Sequence, residues 1–180
     1  MSGIEIKDDY ELLLFDMDLT LTETISGKAF PQTVEDRKLM PGRRDKLLNL
    51  HGMGKHTAII TNQGGRAWQF FTQEEMDAFL KRLVIALEMD AFFVCYRDTG
   101  EKARASDRTI KELTLPEYYK EWDRRKPGPG MLIEAMDHFG IAREDTLYVG
   151  DREEDQKSAE AASCNFQWSW EFFGDGPIIV

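Results

Sequence analysis

Leu12-Leu13-Leu14-Phe15 is an unbroken apolar run, and Asp16 and Asp18 follow it directly. A strand with one wet face alternates apolar and polar residues. A strand that is apolar at every position needs cover on both faces, as a central parallel strand has. Tyr10 to Phe15 is therefore read as a first, central strand. Asp16 and Asp18 stand at i and i+2, so their side chains share one side wherever the chain is still extended. Like charges set together at the edge of a core repel, and something must offset that repulsion.

The rest of the chain punctuates itself into alternating strands and helices. Ser26-Gly27 and Pro31 mark residues 20 to 40 as turns with a small hairpin. Pro41 opens a helix that Gly52 and Gly54 end. His56 to Thr61 is a second strand. Thr72 and Glu75 have capping-box spacing. The helix they start carries Met76, Phe79, Leu80, Leu83, Val84 and Leu87 on one stripe. Ala91 to Tyr96 is a third strand, and 97 to 125 reads as mostly loop with a short helix. Pro129 opens a helix that closes at Gly140. Thr146 to Val149 is a fourth strand, Asp155 to Ala162 a helix, and Phe166 to Trp168 a fifth strand at an edge. Such alternation predicts an α/β fold with a mainly parallel central sheet and right-handed crossovers. The 180 residues suit one domain, 1–180.

In parallel sheets ligands bind at the carboxyl ends of the strands. Four polar clusters sit there: Asp16-x-Asp18-x-Thr20, Thr61-Asn62-Gln63, Arg125-Lys126-Pro127 and Gly150-Asp151 with Asp155 beyond. Each alone fits ordinary turn chemistry equally well. Together they place carboxylates from separate strand ends near one another, with a lysine and hydroxyl and amide donors opposite. An all-oxygen carboxylate set is the Mg²⁺ pattern, and the cation offsets the repulsion. Mg²⁺ and a lysine facing hydroxyl donors suit a phosphate dianion. One carboxylate then serves as nucleophile and a second as acid and base.

Composition narrows the alternatives. The net charge of −10 argues against loose binding along nucleic acid, while leaving room for one terminal phosphate in a basic cleft. The basic residues Arg37, Lys38, Arg43, Arg44 and Lys46, and Arg124 to Lys126, read as solvated faces when taken singly. Cys95 and Cys164 have no metal-ligand spacing and read as buried small hydrophobes. No apolar run approaches the ~18 residues that span a membrane, and the polar, acidic start is unlike a secretory leader. A cytoplasmic location follows as an expectation. His51, His56 and His138 are scattered and receive no chemical role. Trp68, Trp122, Trp168 and Trp170 read as core or rim packing ahead of base stacking.

The four clusters resemble the haloacid dehalogenase (HAD) superfamily of phosphatases, as DMDLT, ITNQ, RKPGPGM and VGDREED. The resemblance implies a Rossmann-like three-layer α/β sandwich without a large cap domain. It implies Asp16 as nucleophile and Asp18 as general acid/base. Thr61, Asn62 and Lys126 would bind the phosphoryl group. Mg²⁺ would be held by Asp16, the main-chain carbonyl of Asp18, and Asp151, with Asp155 orienting Lys126 or a metal-bound water. TNQ with RKPGPGM resembles the subgroup of histidinol-phosphate phosphatases, heptose-bisphosphate phosphatases and polynucleotide kinase 3′-phosphatase domains. Heptose enzymes resemble zinc-loop proteins with several cysteines between the second and third motifs, where this chain has only Cys95. The stretch Thr22 to Pro31, with Ser26-Gly27-Lys28-x-Phe30-Pro31, is similar to the DNA 3′-phosphatases, as is FQWSWEFFG near the end. Leu19 stands where that motif usually has Gly.

These features lead to the expectation of a Mg²⁺-dependent phosphomonoesterase that removes a 3′-phosphate from a nucleic acid end, in DNA repair. Lys28 and Arg66 are added as substrate contacts. No P-loop kinase motif occurs, so no P-loop kinase half is expected; the expected partner is the phosphorylated substrate, with a separate kinase or ligase chain as a further candidate. The alternative substrate is a small metabolite such as histidinol phosphate or a sugar bisphosphate. A non-catalytic phosphate-binding module is the third reading, and the second aspartate speaks against it.

Overall fold

Both faces of β1 (Leu12–Phe15) are covered, and all four of its residues are buried. A computed structural model describes residues 9–66, 69–96 and 124–176. After β1 come β2 (Thr22–Glu23), β3 (Lys38–Leu39), α1 (Arg43–Gly52), β4 (His56–Asn62), α2 (Gln73–Ala86) and β5 (Ala91–Cys95). Then follow α3 (Gly130–Phe139), β6 (Thr146–Gly150), α4 (Glu153–Ala162), β7 (Asn165–Trp168) and α5 (Ser169–Phe173). The main sheet runs β5-β4-β1-β6-β7, with every neighbouring pair parallel. β1 lies between β4 and β6, with Phe15 level with Ile59 on one side and Val149 on the other. The position of β1 at the centre explains its lack of alternation. Leu13 and Phe15 pack with Met17, Leu47, Ile59, Met76 and Leu80 on one face. Leu12 and Leu14 pack with Ile60, Met131, Leu132 and Ala159 on the other. Burying each such side chain contributes roughly 1.5–3 kcal/mol.

The punctuation marks act as expected. The Thr72 hydroxyl accepts from Glu75 N–H, and the Glu75 carboxylate accepts from Thr72 N–H, completing the capping box of α2. Pro129 precedes α3, and Gly140 ends it in the left-handed conformation. β7 is an edge strand. The hairpin expected within 20 to 40 is the antiparallel β2–β3 pair, Thr22 opposite Leu39 and Glu23 opposite Lys38. Residues 24–37 project from this pair as an arm. Ser26 donates to Asp36 from both its N–H (2.7 Å) and its hydroxyl (2.6 Å), which ties the arm across its base. These bonds hold the Asp36 carboxyl below the usual range. Between the first polar cluster and β4 lie the β2–β3 pair, this arm and α1. The loop expected up to residue 125 falls, as far as 123, outside the described residues, as do Trp68 and Trp122. No described helix is long and apolar enough to cross a membrane.

Two arginines read as solvated are buried. Arg37 is described with the site. Arg43, 1% exposed, donates Nε–H to the Thr20 carbonyl (2.9 Å) and Nη1–H to the Pro41 carbonyl (3.1 Å). It pairs with Asp175 at 2.6 Å, and its guanidinium lies 4.2 Å from the Phe173 ring centroid. Phe172 and Phe173 of α5 pack in turn on Phe15. Arg43 thus fastens the C-terminal helix to the loop after β1. Lys38, Arg44 and Lys46 are exposed, as expected. Trp168 and Trp170 stack on each other, 4.7 Å apart, which agrees with the packing role. Cys95 is buried, whereas Cys164 is only partly so; burial pushes the Cys164 thiol up to about 12. Arg43→Ala leaves a buried carbonyl and Asp175 without their partner. It is expected to lower unfolding free energy by about 2–4 kcal/mol, read as a lower urea midpoint at unchanged slope.

Candidate active site

The three central strands deliver the site. Asp16 follows β1 and stays in register, its N–H donating to the Val149 carbonyl (2.9 Å). Thr61 and Asn62 end β4, and Gly150 ends β6 just before Asp151. Lys126 arrives from the loop before α3. Asn62 holds that loop from both sides, donating Nδ2–H to the Lys126 carbonyl (3.2 Å) and accepting its N–H (3.1 Å). A cleft lined by Asp16, Asp18, Thr61, Asn62, Lys126 and Asp155 opens at this end of the sheet.

Lys126 is 5% exposed, and its ammonium is fully engaged. Nζ lies 2.8 Å from Asp16 Oδ1, 2.7 Å from Asp155 Oδ1, 2.9 Å from the Tyr148 hydroxyl and 3.3 Å from the Ile60 carbonyl. Burial opposes the ammonium, but Asp16 and Asp155 outweigh it and hold Lys126 above the ordinary lysine value. Tyr148 donates its own proton to Asp155 Oδ1 at 2.7 Å. Burial and the two carboxylates keep that phenol neutral. The other oxygen of Asp155 accepts the N–H groups of Asp151 and Arg152, both at 3.1 Å, in the first turn of α4. Burial works against an ionised Asp155, yet Lys126 and these donors hold it below the usual carboxylate range. Both Asp155 oxygens are thus occupied, one by the Lys126 ammonium and the Tyr148 hydroxyl and the other by backbone N–H groups.

Asp16 and Asp151 behave in the opposite way. Burial, then the neighbouring carboxylates, push Asp16 well above the ordinary value against the pull of Lys126. Burial and Asp155 likewise raise Asp151. The two carboxyls lie within hydrogen-bonding reach of each other. Such a pair needs either a shared proton or a cation. Asp16, Asp151 and Asp155 bring one oxygen each within 4.8 Å of one another. Since the Asp155 oxygens are committed, Asp16 and Asp151 are the donors left for a hard divalent ion, and their chemistry fits Mg²⁺. The buried Thr20 hydroxyl donates to Asp151 Oδ1 at 3.4 Å, which gives the threonine of the first motif a function.

Asp18 has a separate set of partners. It lines the cleft and is held by Arg37, Gln63 and Thr22. Thr61, 1% exposed, lines the cleft with its hydroxyl accepting from Gln63 Nε2 at 2.8 Å. Leu19 adopts φ 66°, the left-handed bend that glycine would take without strain. The loop thus keeps its shape at a cost of about 1–2 kcal/mol. Lys28 is exposed on the arm and donates to Gln32 Oε1 at 2.8 Å, and it is not among the cleft-lining residues. The backbone of Arg66 belongs to the turn Gly64–Arg66, and its side chain lies outside the described part of the structure. The sequence set Gln63 in the second polar cluster without a specific partner, gave Tyr148 no role and read Arg37 as solvated. Tyr148 had a signal, as the polar-tipped residue within a buried strand. Gln63 had one in its adjacency to Thr61-Asn62. Arg37 had none.

The polynucleotide kinase 3 phosphatase family model matches residues 11–173. The chain belongs to that family. Relatives of this family member include D-glycero-β-D-manno-heptose-1,7-bisphosphate 7-phosphatases. The one from Pseudomonas putida is 29% identical over 157 residues, covering 86% of this chain and 79% of that protein. The one from Pasteurella multocida is 25% identical over 134 residues, covering 72% of this chain and 66% of that protein. The chain thus spans a little under two thirds of several curated relatives it matches. Among solved structures, D,D-heptose 1,7-bisphosphate phosphatase from B. bronchiseptica, complexed with magnesium and phosphate, has a TM-score of 0.66 at 22% identity. That match covers 87% of this chain and 78% of the other. A HAD-superfamily hydrolase from Geobacter sulfurreducens has a TM-score of 0.57 at 18% identity, covering 88% and 86%. The fold is HAD-like, as the four motifs implied.

Two measurements probe this geometry. A raised folded pKa means that Asp16 stabilises the fold fully below the ordinary aspartate range. That contribution is lost as pH rises through the folded value. Without metal at pH 8, Asp16→Asn is therefore expected to melt higher than wild type by roughly 2–4 °C, equivalent to ~1 kcal/mol for a chain of this size. The two should converge near pH 4. Added Mg²⁺ is expected to raise the wild-type Tm and to raise that of Asp16→Asn less. Separately, a Cβ at Gly150 would collide with Cβ of Asp155 and come within 2.6 Å of its Cγ. Gly150→Ala is expected to cost about 1–3 kcal/mol through overpacking, read by thermal unfolding.

Proposed function

We propose that this chain is a phosphomonoesterase that works by covalent transfer through Asp16, with a small sugar phosphate of the bisphosphate class as substrate. The observation that carries the chemistry is the Lys126 ammonium 2.8 Å from Asp16 Oδ1, with an oxygen of Asp151 within 4.8 Å of an Asp16 oxygen. A phosphate dianion entering the cleft meets Lys126 and the Thr61 hydroxyl. Asp16 attacks phosphorus, the bond to the leaving oxygen breaks, and Asp18 gives that oxygen a proton. Asp18 then takes a proton from water, whose oxygen attacks the aspartyl phosphate. The phosphorus–Asp16 bond breaks, releasing inorganic phosphate and restoring both carboxyls. Mg²⁺, held by Asp16, the main-chain carbonyl of Asp18 and Asp151, would supply positive charge for the phosphoryl oxygens and relieve the carboxylate repulsion.

The substrate class is supported by the relatives named as heptose-bisphosphate phosphatases. The sequence-based preference for a nucleic acid 3′ end gives way to the metabolite alternative on that support. The 3′-end reading stands second, favoured by the family match over residues 11–173 and by the placement of Thr22, Thr24, Ala29, Phe30 and Pro31 along the cleft. The test is a comparison of kcat/KM for a sugar bisphosphate, histidinol phosphate and 3′- and 5′-phosphorylated oligonucleotides, with Mg²⁺ and with EDTA. The sugar bisphosphate is expected to be turned over best, EDTA to abolish release, and Asp16→Asn to lower kcat by roughly 10³-fold or more. Preference for the 3′-phosphorylated oligonucleotide would reverse the substrate order. No phosphate release by wild type with Mg²⁺ from any substrate would remove the phosphatase reading.

A further inference from the structure

Arg37 is the least expected residue near the site. It stands in a polar stretch at the base of the arm, yet its side chain is 1% exposed. Its donors are all directed at acceptors. Nε–H donates to Asp18 Oδ1 (2.8 Å), and Nη2 donates to Asp18 Oδ2 (3.3 Å) and to Gln63 Oε1 (3.0 Å). Nη1 donates to the carbonyls of Thr33 (3.2 Å) and Val34 (3.3 Å), within the arm. The Phe79 ring of α2 faces the guanidinium at 5.7 Å. Gln63, 4% exposed, adds a donor to Asp18 Oδ2 (2.8 Å), and the Thr22 hydroxyl adds one to Oδ1 (3.2 Å). The Asp18 carboxyl is thus held on both oxygens, and the Thr22 hydroxyl, which also reaches the Met17 carbonyl (3.4 Å), can turn there and leave Oδ1 a lone pair for the proton that Asp18 carries. The grip comes from a planar fork whose other side is anchored in the arm.

A carboxylate serving only as a surface charge has no need of such a grip, and burying an arginine is costly unless its partners are fixed. The arrangement fits a group that must be aimed. We propose that Arg37, assisted by Gln63, is a positioning residue for Asp18. It fixes the carboxyl toward the leaving-group side of the cleft and couples that aim to the arm that lines it. This rests on the reading of Asp18 as the proton donor to the leaving oxygen.

Proton donation matters when the leaving group is a poor one. An alkoxide from an alkyl phosphate needs the proton as its bond to phosphorus breaks, whereas a 4-nitrophenolate departs without it. Because kcat/KM reports steps only through the first irreversible one, it separates leaving-group departure from the later attack by water. The experiment measures kcat/KM with Mg²⁺ for glycerol phosphate and 4-nitrophenyl phosphate, in wild type, Arg37→Met, Arg37→Lys, Gln63→Met and Asp18→Asn. Thermal unfolding is recorded for each. Arg37→Met is expected to lower the alkyl-to-aryl ratio of kcat/KM by roughly 10–100-fold. Arg37→Lys should recover part of the ratio, since it keeps the charge without the fork. Gln63→Met, which leaves the ion pair intact and serves if Arg37→Met does not fold, should lower it less. Asp18→Asn should lower it most. If Asp18→Asn discriminates but the Arg37 and Gln63 variants lower both substrates equally or neither, this proposal is overturned alone. If Asp18→Asn itself shows no discrimination, the proton-donor reading is overturned together with it.

Discussion

One buried ammonium group organises this structure. Lys126 sits between Asp16 and Asp155 with a phenol and a carbonyl completing its shell. In a low-dielectric interior an unpaired charge is prohibitive, so each of these partners is obligatory once the lysine is placed there. The arrangement sets two carboxylates apart by role. Asp155 is saturated by donors and fixed as an anion. Asp16 keeps its second oxygen clear of the lysine, and its unrelieved repulsion with Asp151 favours a cation between them.

The sheet makes this placement possible. β1, β4 and β6 are adjacent and parallel, so their carboxyl ends present Asp16, Thr61 and Asp151 along one edge without any long excursion of the chain. The remaining groups come by tethers. Asn62 reaches across to the Lys126 backbone, and the first turn of α4 delivers Asp155 with its second oxygen capping backbone N–H groups. Gly150 leaves the room in which Asp155 lies. Stabilising features and reactive ones share these few residues.

Local physics was legible in the sequence. The double-sided burial of Leu12 to Phe15, the capping box at Thr72 and Glu75, and the Pro129 and Gly140 boundaries of α3 each depend on residues a few positions apart. The strand-end rule picked out Asp16, Asp18, Thr61 and Asp151, and the Arg125-Lys126-Pro127 cluster before α3 added Lys126; Asp16, Asp18, Thr61 and Lys126 line one cleft. What could not be read were partners joined across the chain. Arg37 meets Asp18 nineteen residues away and Gln63 twenty-six away, and Arg43 meets Asp175 across 132 residues. Nothing in their neighbourhoods separates them from the exposed Lys38, Arg44 and Lys46. Charge alone gave the same expectation for all five residues, and burial divided them.

The arm from 24 to 37 has a consequence for how such a protein diversifies. It contributes Thr24, Ala29, Phe30 and Pro31 to the cleft wall, while Asp16, Thr61 and Lys126 come from the sheet and its loops. Opposite parts of the cleft wall are therefore carried on separately replaceable stretches of chain. A lineage could exchange the arm wholesale and reshape one side of the cleft with the carboxylate–lysine cluster untouched. The exception is the guanidinium at the arm's base, so a transplanted arm would have to bring an equivalent anchor with it.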